Sequence, residues 1–375
     1  MRRRIFITIV YIFSIALFYS CTQKENIIKV AVFNGNGASP ICVIETKEAL
    51  LIDSDISVSE ISSSEIMKGC LANFDVLVFP GGSGSKELNN LGDQGKEIVR
   101  NFLTKNGKGI IGICAGSFLL SKTEGYPSLQ LGNVRVIDRV HYARGKGLIE
   151  FELTNEGKKI FPELVGRKAY CQYYDGPILG QIKEKENFKA IGKYVTDIHP
   201  NKGAPKNVTP KKLFLYNEKI GEGKLFAISG HPESTPGMRW MLPRMVRWVS
   251  NQKMVSYTPS VVRPDIYNQV VLFDQKQKRV EKKYWWQLFH PSPDSIIIAM
   301  EQLHFMHSRP AVRWNMGLLR SKHAEVRLKA VELLFDSEYT AALPDIKDIF
   351  ELEENALNKE KMSEIIKKMN RIKNN

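Results

Sequence analysis

Residues 109–120, read G-I-I-G-I-C-A-G-S-F-L-L, constrain this chain more than any other stretch. Ile110, Ile111 and Ile113 read as a buried strand, Gly112-Ile113-Cys114-Ala115-Gly116 as a sharp turn, and Phe118, Leu119 and Leu120 as an apolar helix. Glycines flanking such a turn let strand and helix approach closely, so that one side chain is lifted into a cleft. Cys114 would then stand at a helix N-terminus, where the dipole and unpaired N–H groups favour a thiolate. The same residues also suit a small buried cysteine after an ordinary parallel strand, so the turn alone does not make an active site.

Upstream, strands are expected at 27–33, 57–61 and 76–79, with helices over 41–52 and about 88–105. Apolar strands alternating with helices imply an α/β fold, a parallel sheet covered on both faces. In such sheets the loops at the carboxyl ends of the strands line the ligand crevice. Three loops lie there: that of Gly35 and Gly37, that of Gly81 and Gly82, and the Cys114 turn. No dinucleotide or P-loop glycine pattern is present. Gly81 and Gly82 suit a bare turn offering N–H groups to an oxyanion beside Cys114, or simply a tight strand-to-helix turn.

From 133 to 213 the pattern is β-like and irregular, with strands expected at 134–137, 148–153 and 190–195. Tyr170, Tyr173, Tyr174 and Asp175 belong to an aromatic stretch that reads as a strand and turn, or as a pocket wall. The runs 213–216 and 224–228 around Gly221-Glu222-Gly223 signal a hairpin. Its second strand leads into Ser229-Gly230-His231-Pro232-Glu233. Residues two apart in an extended segment share a side, so His231 and Glu233 are expected to emerge together. A carboxylate orienting an imidazole that serves a thiol is a triad of the general kind.

Taken together, the Cys114 turn and the downstream His231-Pro232-Glu233 resemble the class I glutamine amidotransferase superfamily. Phe33-Asn34-Gly35-Asn36-Gly37-Ala38-Ser39, Pro80-Gly81-Gly82-Ser83 and Tyr173-Tyr174-Asp175-Gly176 resemble, within it, the biotin–protein ligase N-terminal domain, over roughly residues 27–250. The resemblance implies a flavodoxin-like domain with Cys114 as nucleophile and His231 and Glu233 completing the triad. Gly35, Gly81, Gly82, Ala115, Tyr174 and Asp175 would form the oxyanion and substrate site. Ligase activity is not implied, because no glycine/arginine-rich biotinyl-adenylate loop is found. The Cys-to-His separation also exceeds that of typical amidotransferases, and the irregular middle region absorbs the difference.

At the N-terminus Arg2, Arg3 and Arg4 precede an apolar run over 5–19, and Ser20-Cys21 follow. This is the layout of a secretory signal. It resembles that of bacterial lipoproteins, with Cys21 as the lipid-bearing first residue; an uncleaved anchor is the other reading, although the run is short for a span. Either reading places the rest of the chain in the cell envelope, outside the cytoplasm, on its periplasmic or surface face. The net charge of +14 points to anionic partners such as membrane, nucleic acid or acidic glycans, and with an envelope placement a membrane partner and no nucleic acid are expected. Five cysteines in 375 residues make no disulfide framework, and no close His/Cys spacing suggests a metal. No cofactor is expected.

The division that results is a signal over 1–20, an amidotransferase-like domain over 26–252, a linker over 253–292 and a helical region over 293–375. The linker is basic at Lys276, Lys278, Arg279, Lys282 and Lys283 before Trp285-Trp286, a pattern for a membrane interface or for packing onto a domain. Residues 321–334 resemble the first helix of a HEAT-type repeat, and a single unit suits a small helical-hairpin region better than a solenoid. The function expected is that of an extracytoplasmic thiol hydrolase acting on an amide in an unidentified substrate or protein partner. The other reading is a binding or scaffold lipoprotein that keeps this fold without the chemistry. Expressed in bacteria, the chain should incorporate radioactive palmitate, and Cys21→Ser should abolish the label; unchanged membrane attachment and mobility of that variant would instead mean an uncleaved anchor.

Overall fold

The computed structural model describes residues 27–200 and 203–373, so Cys21 and the expected signal lie outside the described residues. β1 (Ile28–Phe33) is buried except at Lys29 and leads into α1 (Pro40–Leu50), which Pro40 opens at the position where its missing N–H costs nothing. There follow β2 (Ile56–Ile61), α2 (Ser63–Met67), β3 (Val76–Phe79), α3 (Gly84–Thr104), β4 (Gly109–Ile113) and α4 (Ala115–Leu120). The middle of the chain supplies β5 (Val134–Val136), β6 (Lys146–Leu153), α5 (Asn155–Ile160), β7 (Ala169–Tyr174), β8 (Leu179–Gln181) and β9 (Phe188–Tyr194). The expected hairpin is β10 (Leu213–Ile220) with β11 (Gly223–Ile228), and α6 (Met241–Val249) closes this part.

β2, β1, β3, β4 and β11 are successive parallel neighbours. This is the 2-1-3-4-5 order of flavodoxin-like sheets. The period of two divides β1 between two cores: Val30 and Val32 face one, Ala31 and Phe33 the other. Beyond β11 the sheet turns antiparallel through β10, β9 and β6, and this is where the irregular middle region goes. The carboxyl ends of β3, β4 and β11 therefore lie side by side, bringing Gly82, Cys114 and His231 to one edge.

The segment over 253–292 does not behave as a free linker. Tyr257, Val261 and Val262 are buried in the first core, and the Tyr257 hydroxyl donates to Asp53 Oδ2 at 3.2 Å. β12 (Val271–Leu272) then pairs with β6, and Asp274 caps α7 (Gln275–Gln287) by accepting the Gln277 N–H while its own N–H donates to Gln277 Oε1. Trp285 packs on the helical core, whereas Trp286 and Phe289 stay exposed, Phe289 edge-on to Trp314. A Pro-rich, weakly patterned stretch hides such packing, because single apolar residues on a non-repeating backbone leave no period to read.

α8 (Pro293–Phe305), α9 (Ala311–Leu318), α10 (Ala324–Asp336), α11 (Leu343–Leu352) and α12 (Ala356–Lys373) surround their own core, with α10 packed on α8, α9 and α12. A buried polar seam joins this region to the sheet. Glu338 accepts the Gly237 N–H at 2.9 Å and pairs with Arg263, Arg239 donates to the Glu338 carbonyl, and Thr340 donates to Glu48 at 2.7 Å. Arg244 and Arg247 of α6 are likewise buried, against Glu163 and Asp53. Part of the positive charge is thus internal. No helix of the described residues is long and apolar enough to cross a membrane. Tyr257→Ala in the full chain should cost about 3–5 kcal/mol in urea unfolding, as for a large core residue; a loss below about 1 kcal/mol would restore the linker reading.

Candidate active site

Cys114 is placed by strain. It stands between β4 and α4 with φ 50° and ψ −101°, a conformation that side chains rarely adopt and that costs of order 1–3 kcal/mol. The turn needs its glycines: a Cβ on Gly116 would lie 2.3 Å from the Phe79 carbonyl oxygen, so α4 can sit this close to β3 only with Gly there. Among the described residues, neither the Ala115 nor the Gly82 N–H donates to a backbone acceptor. Both residues line the cleft next to Cys114, as an oxyanion site requires.

His231 and Glu233 meet as expected, with His231 Nδ1 2.7 Å from Glu233 Oε1, but not on an extended strand. Pro232 opens a short 3-10 turn (Pro232–Ser234), because its fixed φ suits the first helical position, and the turn folds Glu233 back onto the ring. The aromatic strand β7 holds this loop. The Gln172 carbonyl accepts the His231 N–H at 2.8 Å, and two residues later the Tyr174 carbonyl lies 3.5 Å from Cys114 Sγ. At that distance the thiol can donate to the carbonyl, while it also interacts with the His231 imidazole. Burial and Arg309 push the His231 pKa down, but charge on Cys114 and Glu233 outweighs them and holds it well above its ordinary value.

Of the other expected site residues, Tyr174 borders the cleft on both sides of Cys114, and Asp175 lies on one. The Asp175 carboxylate is occupied in accepting the Gly145 N–H at 2.9 Å. Gly81 serves the histidine rather than a substrate: a Cβ there would stand 2.6 Å from His231 Cε1. Gly35 lines neither side of the cleft. It belongs to a turn that packs against Asn90 of α3, so its place in the glycine-rich loop reflects backbone packing.

Two residues that the sequence did not single out complete the cluster. Cys42 of α1 and Arg309, which lies between α8 and α9, come together with the Arg309 Nη2–H donating to Cys42 Sγ at 3.2 Å. Arg309 also bonds Glu45 at 2.5 Å and lies 3.7 Å from Glu233. Burial raises the Cys42 pKa, yet Arg309 and His231 outweigh it and the net shift is downward. Cys171, by contrast, is pushed up to about 12 by complete burial. Cys42, His231 and Glu233 present ligand atoms within 4.8 Å of one another, a set able to hold a metal ion, which the sequence spacing had not suggested. The Arg309 guanidinium already supplies positive charge to that position.

The family comparison bears on the part of the site that holds Cys114. Residues 28–139 match the family model for the biotin-protein ligase N-terminal domain. The matched stretch includes Gly82, Cys114 and Ala115 and ends before His231. No curated protein matches the chain. Among solved structures, a ThuA-like protein from Parabacteroides merdae is 9% identical, with a TM-score of 0.45 over 64% of this chain and 96% of that one. A beta-galactosidase from Bacillus circulans sp. alkalophilus is 16% identical, with a TM-score of 0.35 over 60% of this chain and 31% of that one. A cytoplasmic protein from Salmonella typhimurium is 15% identical, with a TM-score of 0.37 over 60% and 97%. Likenesses this slight say nothing about activity.

Glu87, in the first turn of α3, is a buried carboxyl whose two oxygens have no partner among the described residues, and burial pushes its pKa up to about 8. In the unfolded chain it ionises near 4.5. Folding therefore takes up a proton between those values, and stability falls as the pH rises through that window, by roughly 3 kcal/mol at pH 7. Glu87→Gln should raise the melting temperature at pH 7 and make no difference below pH ~4; a pH-independent effect would contradict the buried, protonated acid.

Proposed function

We propose that the chain is a thiol hydrolase of the amidotransferase-like kind, acting on an amide through Cys114, His231 and Glu233. The observation that carries this reading is the 2.7 Å His231–Glu233 contact beside a cysteine held at φ 50°. Cys114 Sγ gives its proton to His231 and attacks the carbonyl carbon, the carbonyl π pair moves onto oxygen, and the Gly82 and Ala115 N–H groups receive the resulting oxyanion. His231, fixed by Glu233, gives the leaving amine its proton as the C–N bond breaks. It then takes a proton from the water that cleaves the thioester, releasing a carboxylic acid and the thiol. We further propose that the enzyme works outside the cytoplasm, tethered by a lipid on Cys21; the pattern over residues 1–21 supports this.

A second reading is favoured by the bond from the Cys114 thiol to the Tyr174 carbonyl. A thiol so engaged suits a binding lipoprotein that has kept the fold and lost the chemistry. Alkylation separates the two. A free thiol near pKa ~8.5 is only about 3% ionised at pH 7. If His231 keeps Cys114 ionised, His231→Ala should slow its reaction with iodoacetamide at pH 7 by up to about thirtyfold. Glu233→Gln should slow it less, and Cys171 should not react. Cys42, whose pKa is also lowered by Arg309 and His231, can compete for the reagent, so the Cys114 peptide must be followed by mass. Release of amine from a panel of primary and peptide amides should be abolished by Cys114→Ala. Equal Cys114 labelling with and without His231, and no amine release, would leave the binding reading.

A further inference from the structure

The cleft continues past Cys114 on both sides, and the two sides differ in charge. One is a cavity of about 1070 Å³ bounded by Tyr126, Arg139, Val140, Tyr142 and Asp175, with the apolar side chains of Val140 and Tyr142 exposed at its rim. The other, about 280 Å³, contains Ser39, Cys42, His231, Arg309 and Arg313 and no carboxylate in its wall. The charge of Arg309 is answered from behind by Glu45 and Glu233. Arg313, one turn into α9, is exposed at the mouth, and among the described residues no carboxylate lies within ion-pair distance of it. A planar cation facing an acid-free cavity beside a nucleophile is the arrangement that reads a carboxylate, to which guanidinium can donate two parallel bonds.

We propose that the substrate of the Cys114 site is anionic, with a carboxylate-class group in the smaller cavity held by Arg313. The inference rests on the thiol-hydrolase reading and adds the substrate class to it. It also gives the helical region a part in the site: α9 and the turn before it bring both arginines to a cleft built otherwise by the sheet. Selection works by charge. A neutral amide would leave Arg313 facing water, whereas an acidic one gains a pair that screening by salt weakens.

Two reagents of nearly equal size test this, iodoacetate and iodoacetamide. Each forms an S–C bond at Cys114 with loss of iodide, and only the first carries a carboxylate. With the full chain and the Cys114 peptide followed by mass, the iodoacetate-to-iodoacetamide rate ratio should fall about fivefold in Arg313→Ala, the effect of one partly exposed charge pair. It should fall further in Arg313→Glu and be retained in Arg313→Lys. In the wild type the ratio should also fall as salt rises from 0.05 to about 1 M, where the Debye length shrinks to ~3 Å. Iodoacetamide labelling with a ratio indifferent to Arg313 and to salt would overturn the inference while leaving the hydrolase reading in place. Labelling of Cys114 by neither reagent would defeat the hydrolase reading, and the substrate class with it.

Discussion

Glu233 is a carboxylate with no exposed side-chain surface, and the site depends on how that buried charge is held. A lone buried carboxylate is costly, and pairing offsets part of that cost. His231 donates to its Oε1, which fixes the ring and its tautomer. The same oxygen lies 3.7 Å from Arg309, which also reaches Glu45 and Cys42, while Oε2 has no hydrogen-bond partner among the described residues. Taking Arg309 away would leave Glu45 and Glu233 together in the interior with one fewer cation. The cluster around Glu233 is therefore completed partly by the helical region, at a position 195 residues beyond Cys114 in the chain.

The sheet explains why these groups can meet. Parallel neighbours end together, so the turns after β3, β4 and β11 share an edge, and β7 crosses beneath them with Gln172 bonded to the His231 backbone. The close approaches fall on glycines: Gly116 where α4 meets β3, and Gly81 where the imidazole lies over the β3 turn. A side chain at either would displace Cys114 or His231. The polar seam of Arg239, Glu338 and Thr340 then seats the helices so that Arg309 and Arg313 face the cleft.

What was legible in the sequence was what is local. The turn at Cys114 announces itself through glycines at fixed offsets, and His231-Pro232-Glu233 through three adjacent residues, although Pro232 drives a 3-10 turn where extension was expected. The central parallel strands β1, β3 and β4 stood out because both their faces are buried, whereas β2 at the edge is largely exposed. Cys42 and Arg309 left no signal, since their pairing spans 267 positions and neither sits in a motif. The stretch over 253–292 hid its core residues for a related reason: Tyr257, Val261 and Val262 follow no helical or strand period. Gly35 misled in the opposite way, being part of a glycine-rich loop whose glycine serves the packing against Asn90.

The central claim is that Cys114 and His231 form a single ionising unit, and the His231 ring reports on it directly. Its protonation can be followed by NMR of ring-labelled histidine, in the wild type and in Cys114→Ser. The account predicts a wild-type pKa well above 6.5 that drops when the sulfur is replaced, because the thiolate contributes to the upward shift against burial and Arg309. A His231 pKa that is the same in both proteins would contradict it.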